Sequence, residues 1–144
     1  MTYSSSPEKK HLAARRAIPW TAKHVPEKGL VLVEFTGQFS LEDVKRQGRE
    51  TIRLLKEHRV LRVLVDCRNA LAGVSLTDIY WLPAIYDQLG APRFSRVAVV
   101  LPENKYQLEA YHFFELRCRN TFYNIRLFET IDAAEGWLQC NHST

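Results

Sequence analysis

The sequence lacks the spacings that carry most small-domain chemistry. Its three cysteines, Cys67, Cys118 and Cys140, are odd in number and far apart. That excludes a disulfide framework and a CxxC metal or redox motif, and leads us to expect a reducing, cytoplasmic setting. The five histidines, His11, His24, His58, His112 and His142, are scattered, with no two at ligand spacing, so no metal and no cofactor are expected. Neither a GxGxxG nor a P-loop follows any apolar run, which removes the usual cradle for a nucleotide phosphate. No apolar stretch approaches the ~18–20 residues that span a bilayer. The opening segment MTYSSSPEKKHLAARR contains no apolar core of a secretory signal.

Acidic character is also scarce, and the net charge is +4. Residues 1–20 hold Lys9, Lys10, Arg15 and Arg16 against Glu8 alone, so three of these four charges sit there and the rest of the chain is close to neutral. A nucleic-acid binder gathers its cations on a folded face; here they belong to one end, and no nucleic-acid partner is expected. Residues 1–18, with Ser4-Ser5-Ser6-Pro7, read as a flexible basic segment containing at most a short helix over 11–17.

What is present is an ordinary globular composition, 46% hydrophobic and 25% charged over 144 residues, enough for one domain, placed at 19–140. Strands are expected at 20–25 and 30–35, with Glu27-Lys28-Gly29 between them as a hairpin turn. Ser40 and Asp43 form a capping signature for a helix over 41–58, whose apolar positions Leu41, Val44, Gly48, Ile52 and Leu55 share one face. A strand follows at 60–66. Ser75 then caps a helix to about residue 89 that contains Pro83, a residue able to kink or split it. After a strand at 96–101, Asn104 is expected to cap a helix over 105–120. A last strand at 124–128 precedes a helix capped by Thr130. Strands alternating with helices imply a mostly parallel sheet, opened here by an antiparallel hairpin: an α/β fold of about five strands and four helices.

Few residues offer chemistry. Gly73-Val74-Ser75-Leu76-Thr77 begins like a nucleophile elbow, but Thr77 replaces the closing glycine and Ser75 lies nine residues beyond Asp66, so a helix cap is the better reading. Asp66 and Cys67 close a strand in this reading, where open α/β sheets place ligands. Cys67 becomes a nucleophile only if a cation such as Arg68 lowers its pKa. Position 73, where a phosphatase loop carries arginine, is glycine. The pairs Tyr80-Trp81 and Phe113-Phe114 are sequence neighbours on helices and cannot both face inward, which points to an exposed or interfacial aromatic surface.

The segments LVLVEFTGQFSLEDV, VLRVLVDCRNALAGVSLTDI, RVAVVLPENKYQLEAYHFF and NIRLFETIDAAEGWL, in that order, resemble the STAS or SpoIIAA-like family, and most of all its bacterial STAS/SEC14-type branch. The resemblance implies a STAS-type fold. In the family's anti-sigma-factor antagonists an Asp-Ser pair opens the helix after the third strand, and a partner kinase phosphorylates the serine. The matching pair here is Val74-Ser75, which keeps the serine and loses the acid. The resemblance therefore leads us to expect a non-enzymatic regulatory or binding module, acting as a homodimer, that recognises a protein partner or a small apolar or anionic ligand. Its expected site is Asp66, Cys67, Arg68, Gly73, Ser75 and Asp78 with Lys105 and Tyr106, and Ser75 is its candidate for phosphorylation. The alternative is a small enzyme using Cys67 or Asp66.

Overall fold

The computed structural model describes residues 18–104, 107–121 and 123–140. The expected segment 1–18 falls outside them except for Ile18, and so do Lys105 and Tyr106. Strands β1 (Trp20–Val25), β2 (Leu30–Ser40), β3 (Arg62–Gly73), β4 (Arg96–Val100) and β5 (Asn124–Phe128) form one sheet in that spatial order. Helix α1 (Leu41–His58) joins β2 to β3, α2 (Leu76–Gln88) joins β3 to β4, and α3 (Leu108–Cys118) joins β4 to β5. Helix α4 (Ile131–Gln139) follows β5. The β1–β2 pair is antiparallel and the other three are parallel. The expected α/β architecture is thus the observed one. None of these helices is long and apolar enough to cross a membrane.

Local chemistry sets the elements. The hairpin turn closes through Lys28 N–H to Val25 O at 3.1 Å, and Gly29 takes the left-handed φ of +64° that the turn needs. At the start of α1, Ser40 Oγ accepts from Asp43 N–H, and Asp43 Oδ2 accepts from Ser40 N–H at 2.9 Å, a complete capping box. Ser75 and Thr130 cap α2 and α4 in the same way, through the amides of Asp78 and Ala133. Helix α2 runs through Pro83 without breaking.

Period-two alternation divides the sheet between two cores. Val31, Val33, Val63 and Val99 face α1, α2 and α3. Leu30, Leu64, Ala98 and Val100 face the short helix α4 through Ala134 and Leu138. Helix α4 is held at its middle and at its C-terminal end. Lys28 Nζ pairs with Glu135 at 2.6 Å, and the Arg96 guanidinium donates to Cys140 O at 2.6 Å and to Trp137 O while lying over the Trp137 ring. A cation there suits a helix C-terminus, where carbonyls are left unpaired.

Three boundaries depart from expectation. Strand β2 runs to Ser40 rather than residue 35, and β3 to Gly73 rather than 66. The extra residues pair with each other, Thr36 with Asn69 through Ser40 with Gly73, as a two-stranded ribbon beyond the ends of β4 and β5. Between Glu34–Asp66 and Thr36–Asn69 the register slips, so Phe35 on β2 faces both Cys67 and Arg68 on β3. This is a β-bulge. Helix α3 is described from Leu108, and the expected start at residue 105 lies outside the described residues; the cap is not Asn104. At the cap position stands Gln107, whose side chain instead accepts from Ala72 N–H at 2.7 Å and donates to Ala72 O at 2.9 Å.

Gly73 ends the ribbon where a Cβ would lie 2.9 Å from the Phe39 carbonyl oxygen. Backbone must shift to admit one, so Gly73→Ala is expected to destabilise the protein by ~1–3 kcal/mol; urea unfolding of the purified variant measures it, and an unchanged midpoint contradicts the close approach.

Candidate functional site

The bulge decides where the sequence-derived residues fall. Asp66 and Cys67 do not close β3; they sit mid-strand, Asp66 opposite Val100, the last residue of β4. By parity with Leu64, Asp66 lies on the α4 face, whereas Cys67 belongs to the core beneath α1–α3. The two residues therefore belong to opposite sides of the sheet, and no common site contains both. Gly73, Ser75 and Asp78 lie farther on, at the ribbon end and the first turn of α2.

On the α4 face, Asp66 is nearly buried and Arg68 holds it. Oδ1 accepts from the Arg68 amide at 3.1 Å and from Nε at 3.0 Å, and Oδ2 accepts from Nη2 at 3.0 Å. Burial alone would raise the Asp66 pKa; the Arg68 hydrogen bonds and charge outweigh it and hold the carboxyl below its ordinary value. Glu34 and Glu103 add negative charge around the same guanidinium. Asp66 is thus a stable carboxylate committed to its neighbour. The Ser75 hydroxyl is exposed and committed to capping, accepting from Asp78 N–H at 3.1 Å.

On the other face, α1, α2, α3 and the sheet line a partly open cavity of about 170 Å³. Its walls are mainly aliphatic and aromatic, among them Phe35, Phe39, Ile52, Leu82, Val99 and Phe114, and no charged side chain lines it among the described residues. Gly48 on α1 leaves room opposite Tyr86, whose ring a Cβ would meet at 3.5 Å, an ordinary contact. Most of the polar groups in the wall are engaged. Gln47 Nε2 donates to Thr51 Oγ1 at 2.6 Å, Ser95 Oγ to Pro92 O at 2.6 Å, and Tyr123 Oη to Asp87. Cys67 lines the cavity too, and burial pushes its thiol up to about 12, so it is a neutral thiol at physiological pH. Beside it, burial also raises the Tyr111 phenol, and Cys67 adds to the shift. Yet no partner meets hydrogen-bond geometry at the buried Tyr111 hydroxyl.

The cavity went unseen in the sequence because it is made of what the helices leave out. Gln47 and Thr51 are polar residues on the buried face of α1, and only their mutual hydrogen bond explains them there. Two histidines meet after all: His24 and His58 stack with centroids 3.8 Å apart, from β1 and the end of α1. Among the described residues no group of three or more His, Cys, Asp or Glu that could hold a metal ion is found. Tyr80 and Trp81 are both exposed, with Arg117 stacked on the Tyr80 ring at 4.0 Å and donating to Tyr80 O at 3.0 Å. Phe113 and Phe114 are both half-buried.

The topology is that of a STAS-type α/β module, a hairpin-led sheet with three helices on one face and one on the other. The sequence matches the SpoIIAA-like family over residues 30–139, and the chain belongs to that family. Among solved structures, an uncharacterised protein of SpoIIAA-like fold from Shewanella loihica PV-4 is similar at a TM-score of 0.51 and 18% identity, covering 83% of this chain and 91% of that one. The unphosphorylated anti-sigma factor antagonist SpoIIAA is similar at a TM-score of 0.46 and 8% identity, covering 79% and 91%. A comparison with curated proteins finds no match.

A depressed carboxyl pKa contributes stability above the unfolded value of about 4, and that contribution is lost as pH falls through the folded value. Asp66→Asn is accordingly expected to cost ~1–2 kcal/mol at pH 7 and to flatten the loss of stability below pH 4. Urea midpoints from pH 2.5 to 7 test this; parallel curves for parent and variant would remove the ion pair from the account.

Proposed function

We propose that this chain is a non-enzymatic binding module that takes a small apolar ligand into the cavity between the sheet and α1–α3, and so serves a regulatory role. The observation that carries the reading is the cavity itself: about 170 Å³ of partly open space with no charged residue in its wall among the described residues. An empty apolar cavity lowers stability through the contacts its lining forgoes, and a ligand restores them. The anionic ligand of the sequence reading finds no counter-charge in this lining.

The enzyme alternative has weaker support. A thiol pushed up to about 12 is a poor nucleophile at neutral pH, and the Asp66 carboxylate already carries three hydrogen bonds from Arg68 on the opposite face.

A second reading, homodimer formation, is favoured by one separate observation. Leu76, Tyr80, Trp81 and Leu116 are exposed on α2 and α3, with Trp81 and Leu116 each 56% accessible. Apolar groups gathered in this way mark an interaction surface. Sedimentation at micromolar concentrations is expected to give a dimer that Trp81→Ser dissociates; a monomer at all concentrations sinks this reading and leaves the cavity untouched.

The ligand reading has its own test. A ligand that binds only the native state stabilises it by RT ln(1 + [L]/Kd), about 2.7 kcal/mol at 100-fold saturation. Ethylbenzene is expected to raise the thermal midpoint of the protein by several degrees, and not that of Ala110→Leu, which fills the cavity from α3. No rise in the parent, or an equal rise in both, rejects it.

A further inference from the structure

The cavity wall also selects the chemistry of its occupant. Among the described residues the buried side-chain polar atoms without a hydrogen-bond partner are Trp20 Nε1 and Tyr111 Oη, and of these two residues only Tyr111 lines the cavity. Tyr111 is 8% accessible. A buried hydroxyl without a partner is costly, and it makes a strong handle for anything that supplies one. The neighbouring Cys67 sulfur interacts with this hydroxyl but falls short of hydrogen-bond geometry, and a thiol is a weak partner that a carbonyl oxygen would displace.

We infer that Tyr111 is a ligand anchor: the cavity takes a neutral molecule about the size of one substituted ring, with a single hydrogen-bond acceptor such as a ketone, aldehyde or ester carbonyl, which receives the Tyr111 hydroxyl proton. Size follows from the volume. A dry apolar cavity of about 150 Å³ holds benzene, and about 170 Å³ is available here. Neutrality follows from the wall, which among the described residues offers no Lys, Arg or His to a carboxylate; a buried anion without a partner is strongly disfavoured. The preference for an acceptor follows from the buried Tyr111 hydroxyl, which has its proton to donate. The rest of the ligand meets rings and methyl groups, including Phe39, Leu82 and Phe114.

This inference rests on the cavity being a ligand site, so the test separates the two. Three probes of nearly one shape serve: ethylbenzene has no acceptor, acetophenone has a carbonyl, and benzoate has a charge. Dissociation constants are measured by calorimetry for the parent and for Tyr111→Phe, which removes one oxygen and keeps the ring. Acetophenone is expected to bind the parent and to weaken about 5–10-fold in Tyr111→Phe, the loss of one hydrogen bond. Ethylbenzene affinity is expected to stay the same in both proteins, and benzoate is expected not to bind either. The acetophenone carbonyl stretch is expected to shift to lower frequency in the parent complex and not in the variant complex. Equal acetophenone affinity in the two proteins, or benzoate binding as tight as acetophenone, overturns the anchor while the apolar site stands. Failure of ethylbenzene and acetophenone alike to bind the parent overturns both the anchor and the broader reading.

Discussion

The arrangement of this molecule turns on the two-for-one register at Cys67 and Arg68 opposite Phe35. Before the slip, β3 pairs with β2 and β4 as part of a regular parallel sheet. After it, β3 pairs with β2 alone and carries the chain out past the sheet as a ribbon. The extra residue re-aims the side chains around it. Asp66 stays on the α4 side, where Arg68 returns to neutralise it, while Cys67 belongs to the three-helix core next to Tyr111. Without the slip, strict alternation would carry through β3, and Ala70 would turn away from the core that it shares with Val63 and Cys67, while Phe39 on the regular strand β2 would keep its side.

The two faces of the sheet are packed unequally. Helix α4 is nine residues long, covers one face and is tied down by Arg96 and Lys28. The other face carries three helices that do not close fully over it. Gly48 supplies no side chain where α1 approaches Tyr86 and Leu89, and the Gln47–Thr51 pair spends part of the buried face of α1 on its own hydrogen bond. Leu82 and Ile79 of α2 and Tyr111 of α3 reach the sheet from farther along it. The unfilled volume between them is the cost of that arrangement.

Much of the architecture was legible in the sequence because local physics writes it locally. Ser40, Ser75 and Thr130 mark helix starts through hydrogen bonds to amides three residues on, and the runs LVLVEF and RVAVV have the composition of buried strands. The ribbon was not legible. Segments 36–40 and 67–73 contain Gly37, Gly73, Asn69 and Gln38, weak strand formers taken singly, and only their pairing with each other makes them strands. The same reasoning separates the site residues. Adjacent in sequence, Asp66 and Cys67 read as one constellation, while a pleated strand sends neighbours to opposite faces. The cavity lies further out of reach, since it depends on how three helices sit against the sheet, and neither Tyr111 nor Gln47 announces itself by spacing.

Gln107 has a role that reaches beyond the start of its helix. Past the end of β4, the outer side of β3 has no strand beside it, and an open strand edge of that kind is a template on which another chain can add. The primary amide of Gln107 meets Ala72 as a strand would, accepting from its N–H and donating to its carbonyl. One side chain thus closes the part of the ribbon nearest its tip to stacking with other copies, and it does so from the helix that also carries Tyr111. Ribbon edge and cavity wall are thus tied to one element, since Gln107 stands at the cap of the eleven-residue helix that carries Tyr111.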